Sequence, residues 1–90
     1  MLTTKQTKAV RNEYFHPDVL RFRRDGGQVS IARSYNRSTR PTADYVGRQM
    51  QRELARAVSR IAPLAKVSLA QVAEEECFGR AYFTATFDFN

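Results

Sequence analysis

Residues 42–62, TADYVGRQMQRELARAVSRIA, read as one long amphipathic helix, and that reading limits what the rest of the chain can be. At about 100° per residue, Ala43, Val46, Met50, Leu54, Ala57, Val58 and Ile61 fall within a single arc. The opposite arc carries Arg48, Arg52, Arg56 and Arg60 at i,i+4 spacing, with Tyr45 among them and Glu53 at their edge. One side must therefore be covered by the rest of the fold, while the other meets water or negative charge. Thr42 is the expected N-cap, Asp44 sits in the first turn where the helix dipole favours it, and Pro63 stops the helix. Gly47 lies on the apolar side, where it costs about 1 kcal/mol against alanine. The expected return is close approach by a strand.

A helix of this kind needs a sheet face to cover it. From Val19 to Tyr35 the periodicity changes from helical to alternating. Leu20 and Phe22 point one way and Arg21 and Arg23 the other, and after Asp25-Gly26-Gly27 the pair Val29 and Ile31 alternates with Ser30 and Ala32. Two such runs joined by a glycine turn make a hairpin. Residues 80–90, RAYFTATFDFN, give the clearest strand, with Phe83, Ala85, Phe87 and Phe89 facing the helix and Tyr82, Thr84, Thr86 and Asp88 opposite.

Residues 65–79 admit two readings. As a helix, Ser68 and Gln71 form a capping box and Leu69, Val72, Ala73 and Cys77 an apolar stripe. As a strand, Val67, Leu69, Gln71 and Ala73 alternate before a five-residue turn. Three glutamates at the negative end of a helix argue against the first, and a second hairpin completes a sheet large enough for the long helix. Residues 3–15 begin with a threonine N-cap and read as a short helix or a mobile arm that ends at His16-Pro17. The expectation is one α+β domain over 1–90. It has a small antiparallel sheet of three to four strands, the helix on one face, and the order α-β-β-α-β-β.

Composition narrows the function classes. Ten aromatics and a hydrophobic fraction of 42% argue against disorder. No apolar run approaches the roughly 20 residues of a membrane span, and the start, MLTTKQTKAV, lacks an apolar signal region. A cytoplasmic protein with no membrane partner is expected. Cys77 and His16 are each the only one of their kind, so no disulfide framework or metal set forms; they read as a core thiol and a surface imidazole. Nor is there a phosphate-cradling glycine loop, a nucleophile elbow or a carboxylate pair. The chain is read as a non-enzyme needing no cofactor and showing no small-molecule substrate. VSLAQVAEEE matches the first helix of a helix-turn-helix repressor, and RAYFTATF an RNA-recognition signature, too partially for either family to apply.

Charge supplies the functional expectation. The net charge is +6, with 15 basic residues against 9 acidic ones, and 12 of the 15 are arginine, the side chain suited to planar anions. Residues 1–66 carry +9 and residues 67–90 carry −3, so the molecule is dipolar. Three explanations compete for the arginine row: a solvated face, phosphate contact, or an acidic protein surface that includes this chain's own Glu74–Glu76. The leading expectation is a small binding protein that engages nucleic acid or a nucleoprotein complex with little sequence preference. Arg48, Arg52, Arg56, Arg60 and Tyr45 carry the binding, and Arg21, Arg23 and Arg24 contribute from the hairpin. The alternative is an inhibitor or adaptor, of the kind found in phages and mobile elements, that docks on a protein subunit of a host nucleic-acid-processing or defence complex. The chain is expected as a monomer, or as a homodimer paired through an edge strand.

Overall fold

The computed structural model describes residues 2–14 and 19–89; His16 and the expected stop at His16-Pro17 lie outside them. In chain order the elements are α1 (Thr4–Glu13), β1 (Val19–Asp25), β2 (Gln28–Asn36), a 3-10 turn (Arg37–Thr39), α2 (Ala43–Ile61), β3 (Val67–Cys77) and β4 (Arg80–Phe89). The four strands form one sheet of order β1-β2-β4-β3 with every neighbouring pair antiparallel. This is the expected α+β fold with the expected element order, and residues 65–79 take the hairpin reading.

Local chemistry explains each helix. Thr3 and Gln6 form a reciprocal capping box at the start of α1. The Thr42 hydroxyl accepts from the Tyr45 amide at 3.2 Å to cap α2. Val46, Gly47, Met50, Leu54, Ala57 and Val58 of α2 are buried. They meet Val29, Ile31, Phe83, Phe87 and Phe89 in one core, which Val10 of α1 and the flanking Leu2 and Tyr14 extend. Both helices thus cover the same face of the sheet, and no described helix covers the other.

Two bulges alter the expected strand faces. A register shift between Val19 and Arg21 makes Leu20 the extra residue of β1, so it is 58% exposed rather than paired in direction with Phe22. A second shift, between Leu69 and Gln71, turns Val72 toward the helix where simple alternation expects Gln71 and Ala73. β3 also runs further than expected: it continues through Glu74, Glu75 and Glu76 to Cys77, and the turn is the pair Phe78-Gly79 rather than five residues. Cys77 consequently lies exposed at the strand end, not in the core. β4 is not an edge either, because β2 and β3 hydrogen-bond to it on both sides. The sheet edges are β1 and β3, so the open edges of the sheet belong to those two strands and not to the last one.

Gly47 has the expected close neighbour. A Cβ at this position would lie 2.6 Å from Val72 Cγ2 and 2.9 Å from Leu69 Cδ2. Gly47→Ala gains about 1 kcal/mol of helix propensity but overpacks a contact with a strand valine that has little rotamer freedom, at about 1–3 kcal/mol. The expected outcome is a net loss of about 1 kcal/mol, read as a lower midpoint in urea unfolding with unchanged slope. A midpoint that rises instead means β3 yields freely.

Candidate nucleic-acid interface

The outward side of the helical layer is where positive charge accumulates. Lys5, Lys8 and Arg11 of α1 and Arg48, Arg52, Arg56 and Arg60 of α2 are all exposed, against only Glu13 and Asp44 among the exposed carboxylates of those helices. Arg48 pairs with Asp44 one turn away, and Arg60 reaches Glu13 of α1 at 3.0 Å. Both pairs are solvent-exposed, and such pairs are worth little and exchange readily for another anion. Among the described residues no carboxylate pairs with Arg52 or Arg56. Tyr45 is exposed on the same helix, its hydroxyl 3.3 Å from Gln49 Nε2. Among the described residues the helix row is therefore half paired with carboxylates and half not.

The hairpin arginines do not join this surface as one set. Arg21 and Arg23 lie on the open sheet face, across the molecule from the helix row. With Ser30, Ala32 and Thr84 they line a shallow trough of about 220 Å³. Arg80 crosses the same face to donate to the Ser34 hydroxyl at 2.9 Å and 3.2 Å. Arg24 departs from its neighbours: it pairs in register with inward-facing Val29 and donates to the Thr4 hydroxyl of α1. It ties the hairpin to the helices.

The acidic run has its own partners. Arg40 bridges Glu74 at 3.1 Å and also contacts Glu76, and Arg37 reaches Glu76 at 3.1 Å. Glu74 and Glu76 lie on the helix side of β3, beside the β2–α2 connection that carries these arginines. So Glu74–Glu76 is neither a solvated turn nor a helix end, and it takes up loop arginines rather than the helix row.

One cluster escapes a reading based on charge runs. Arg33 on β2 is only 2% exposed and pairs with Glu53 of α2, itself 28% exposed. The Tyr14 hydroxyl accepts from Arg33 at 2.8 Å and donates to Glu53 at 3.0 Å. Glu53 thus turns inward from the edge of the arginine row. Burial pushes the Tyr14 hydroxyl far above its ordinary range, so it stays protonated and can donate. Burial works against charge on Arg33 too, but Tyr14, Tyr35 and Glu53 together hold it charged. The signal was present: Val29, Ile31, Arg33 and Tyr35 alternate on one face, and that face is the core.

Among the described residues no group of three or more His, Cys, Asp or Glu is placed to hold a metal ion. No helix among them is long and apolar enough to cross a membrane. No protein-family profile matches this chain, and no curated protein or solved structure is detectably similar to it.

Proposed function

We propose that this protein is a non-enzymatic nucleic-acid-binding module whose helical layer contacts the phosphate backbone. The observation that carries the reading is the cationic outer surface of α1 and α2, in which Arg52 and Arg56 have no carboxylate partner among the described residues. Arg48, Arg52, Arg56 and Arg60 supply phosphate contacts along the helix, and Tyr45 offers a ring for stacking. An arginine row with no side chain set to read base edges supports binding with little sequence preference.

Salt dependence tests it. Each phosphate contact on duplex DNA contributes about 0.9 to the log–log slope of affinity against salt, so four contacts give about 3.6. The Arg52→Gln/Arg56→Gln variant should lose about 1.8 of that slope with its melting temperature unchanged or raised, because it relieves like-charge repulsion along the row. A variant that retains DNA or RNA with the wild-type slope removes the helix as the site. Wild type that binds neither at low salt, yet co-purifies with a protein from its host, favours the inhibitor or adaptor reading.

A further inference from the structure

Arg21 and Arg23 of β1 are exposed, and among the described residues neither pairs with a carboxylate. Two residues apart on one strand, they stand on the same face about 7 Å from each other. Arg21 lies in register with Ala32 and Arg23 with Ser30, and β4 places Thr84 and Thr86 beyond these two. The trough that the arginines line with Ser30, Ala32 and Thr84 has no carboxylate in its wall. Ala32 is too small to fill it, and the Ser30 and Thr84 hydroxyls can donate from its floor. Two guanidinium forks over hydroxyl donors suit an oxyanion. At about 220 Å³ the trough is smaller than the roughly 300–1,000 Å³ of pockets that enclose a whole small molecule. It has room for one group of a larger ligand, and the group that matches its donors is a phosphate.

The surrounding charges leave that site positive. The carboxylates that share this sheet face among the described residues are Asp88 on β4 and Glu75 on β3. At about 4.8 Å per strand spacing, they lie about 10 Å and 14 Å from β1 across the sheet, beyond the Debye length of about 8 Å at physiological salt. Asp88 also accepts from Gln28 at 2.9 Å. The helix row is further still, because the body between the two faces is about 20 Å thick. The trough and the helix row therefore act as separate sites, and one duplex lying on the helices cannot reach the trough.

We infer that the Arg21–Arg23 trough is a second phosphate site, which takes the backbone of a different nucleic-acid segment from the one on the helices, so that one molecule bridges two segments. This rests on the nucleic-acid reading of the helix row and adds to it a second surface and a consequence. Two unpaired arginines on each of two opposite faces make a bridge, where a single cationic face makes only a coat.

A capture assay tests it. One duplex is fixed to beads, the protein is added at low salt, and retention of a second, labelled duplex is read; the probe is DNA, or RNA if only RNA is retained. Wild type should hold the labelled duplex on the beads. Arg21→Gln/Arg23→Gln should bind a single duplex with the wild-type salt slope yet capture no more label than protein-free beads. Ser30→Glu removes no arginine but sets a carboxylate opposite Arg23, and it should fail in the same way. Should Ser30→Glu melt early, the arginine variant decides alone. Arg37→Gln/Lys66→Gln removes the same charge as the arginine variant from outside both surfaces and should capture like wild type. Wild type that binds one duplex without capturing a second overturns the inference and leaves the helix reading standing. Trough variants that still capture, or a charge-matched control that does not, overturn it too. Wild type that binds neither DNA nor RNA at low salt removes both readings.

Discussion

Glu53→Ala should destabilise the protein by about 3–5 kcal/mol, the usual cost of stripping the partner from a buried charge. At about 4–8 °C per kcal/mol for a domain of this size, the melting temperature falls by at least about 12 °C. The reason lies with Arg33. Its guanidinium is 2% exposed, its Nε has no hydrogen-bond partner, and Tyr14 and Glu53 hold its NH2 group. Without Glu53 a full positive charge stays in the core, and the Tyr14 hydroxyl loses its acceptor as well. Removing the whole cluster avoids that penalty, so the triple substitution Tyr14→Phe/Arg33→Met/Glu53→Leu should cost less than Glu53→Ala alone and fall between neutral and stabilising by about 1–4 kcal/mol. Urea or thermal unfolding of the two variants decides the matter. If Glu53→Ala costs under about 1 kcal/mol, as an exposed pair does, then water already solvates Arg33 and the cluster is not a buried ion pair.

Arg33 also marks where a sequence reading of this chain stops. The helix, the two hairpins and the inward phenylalanine row are legible because each is a local period: about 3.6 for α2 and two for β4. Gly47 is legible for the same reason, being a costly residue on a face that something must approach. The bulges at Leu20 and Ala70 are not, since each depends on which partner residue the strand meets across the sheet, and each shifts the alternation that follows. The strand at Glu74–Glu76 is hidden likewise: Glu74 and Glu76 are offset by Arg37 and Arg40, more than 30 residues earlier. On the candidate site, i,i+4 spacing sets out the row from Arg48 to Arg60, and the hairpin period separates Arg21 and Arg23 from it. That Arg60 pairs with Glu13 while Arg52 and Arg56 pair with no described carboxylate follows only from the packing of α1 on α2. A charge count treats every arginine as outward, and it misplaces Arg33, which is buried.

Phe87→Ala should cost about 3–5 kcal/mol, and more than Phe83→Ala, although both rings are fully buried on the same face of β4. The difference comes from their cross-strand neighbours. Phe87 lies between Val29 on β2 and Leu69 on β3, under the apolar side of α2. Truncation there leaves an apolar cavity that water does not enter, and the full transfer and cavity terms apply. Phe83 lies between Arg33 and Glu74, with its ring edge-on to Tyr35 at 5.6 Å. A cavity beside Arg33 has a polar wall, including the unpartnered Nε, and can take a water that offsets part of the loss. Against a total stability of about 5–13 kcal/mol for 90 residues, Phe87→Ala consumes a large share. It should show the lower urea midpoint of the two, with the same slope as Phe83→Ala. Equal midpoints would mean that Arg33 does not hydrate the space beside Phe83, and the polar half of this core would then be as dry as the half under Met50 and Leu54.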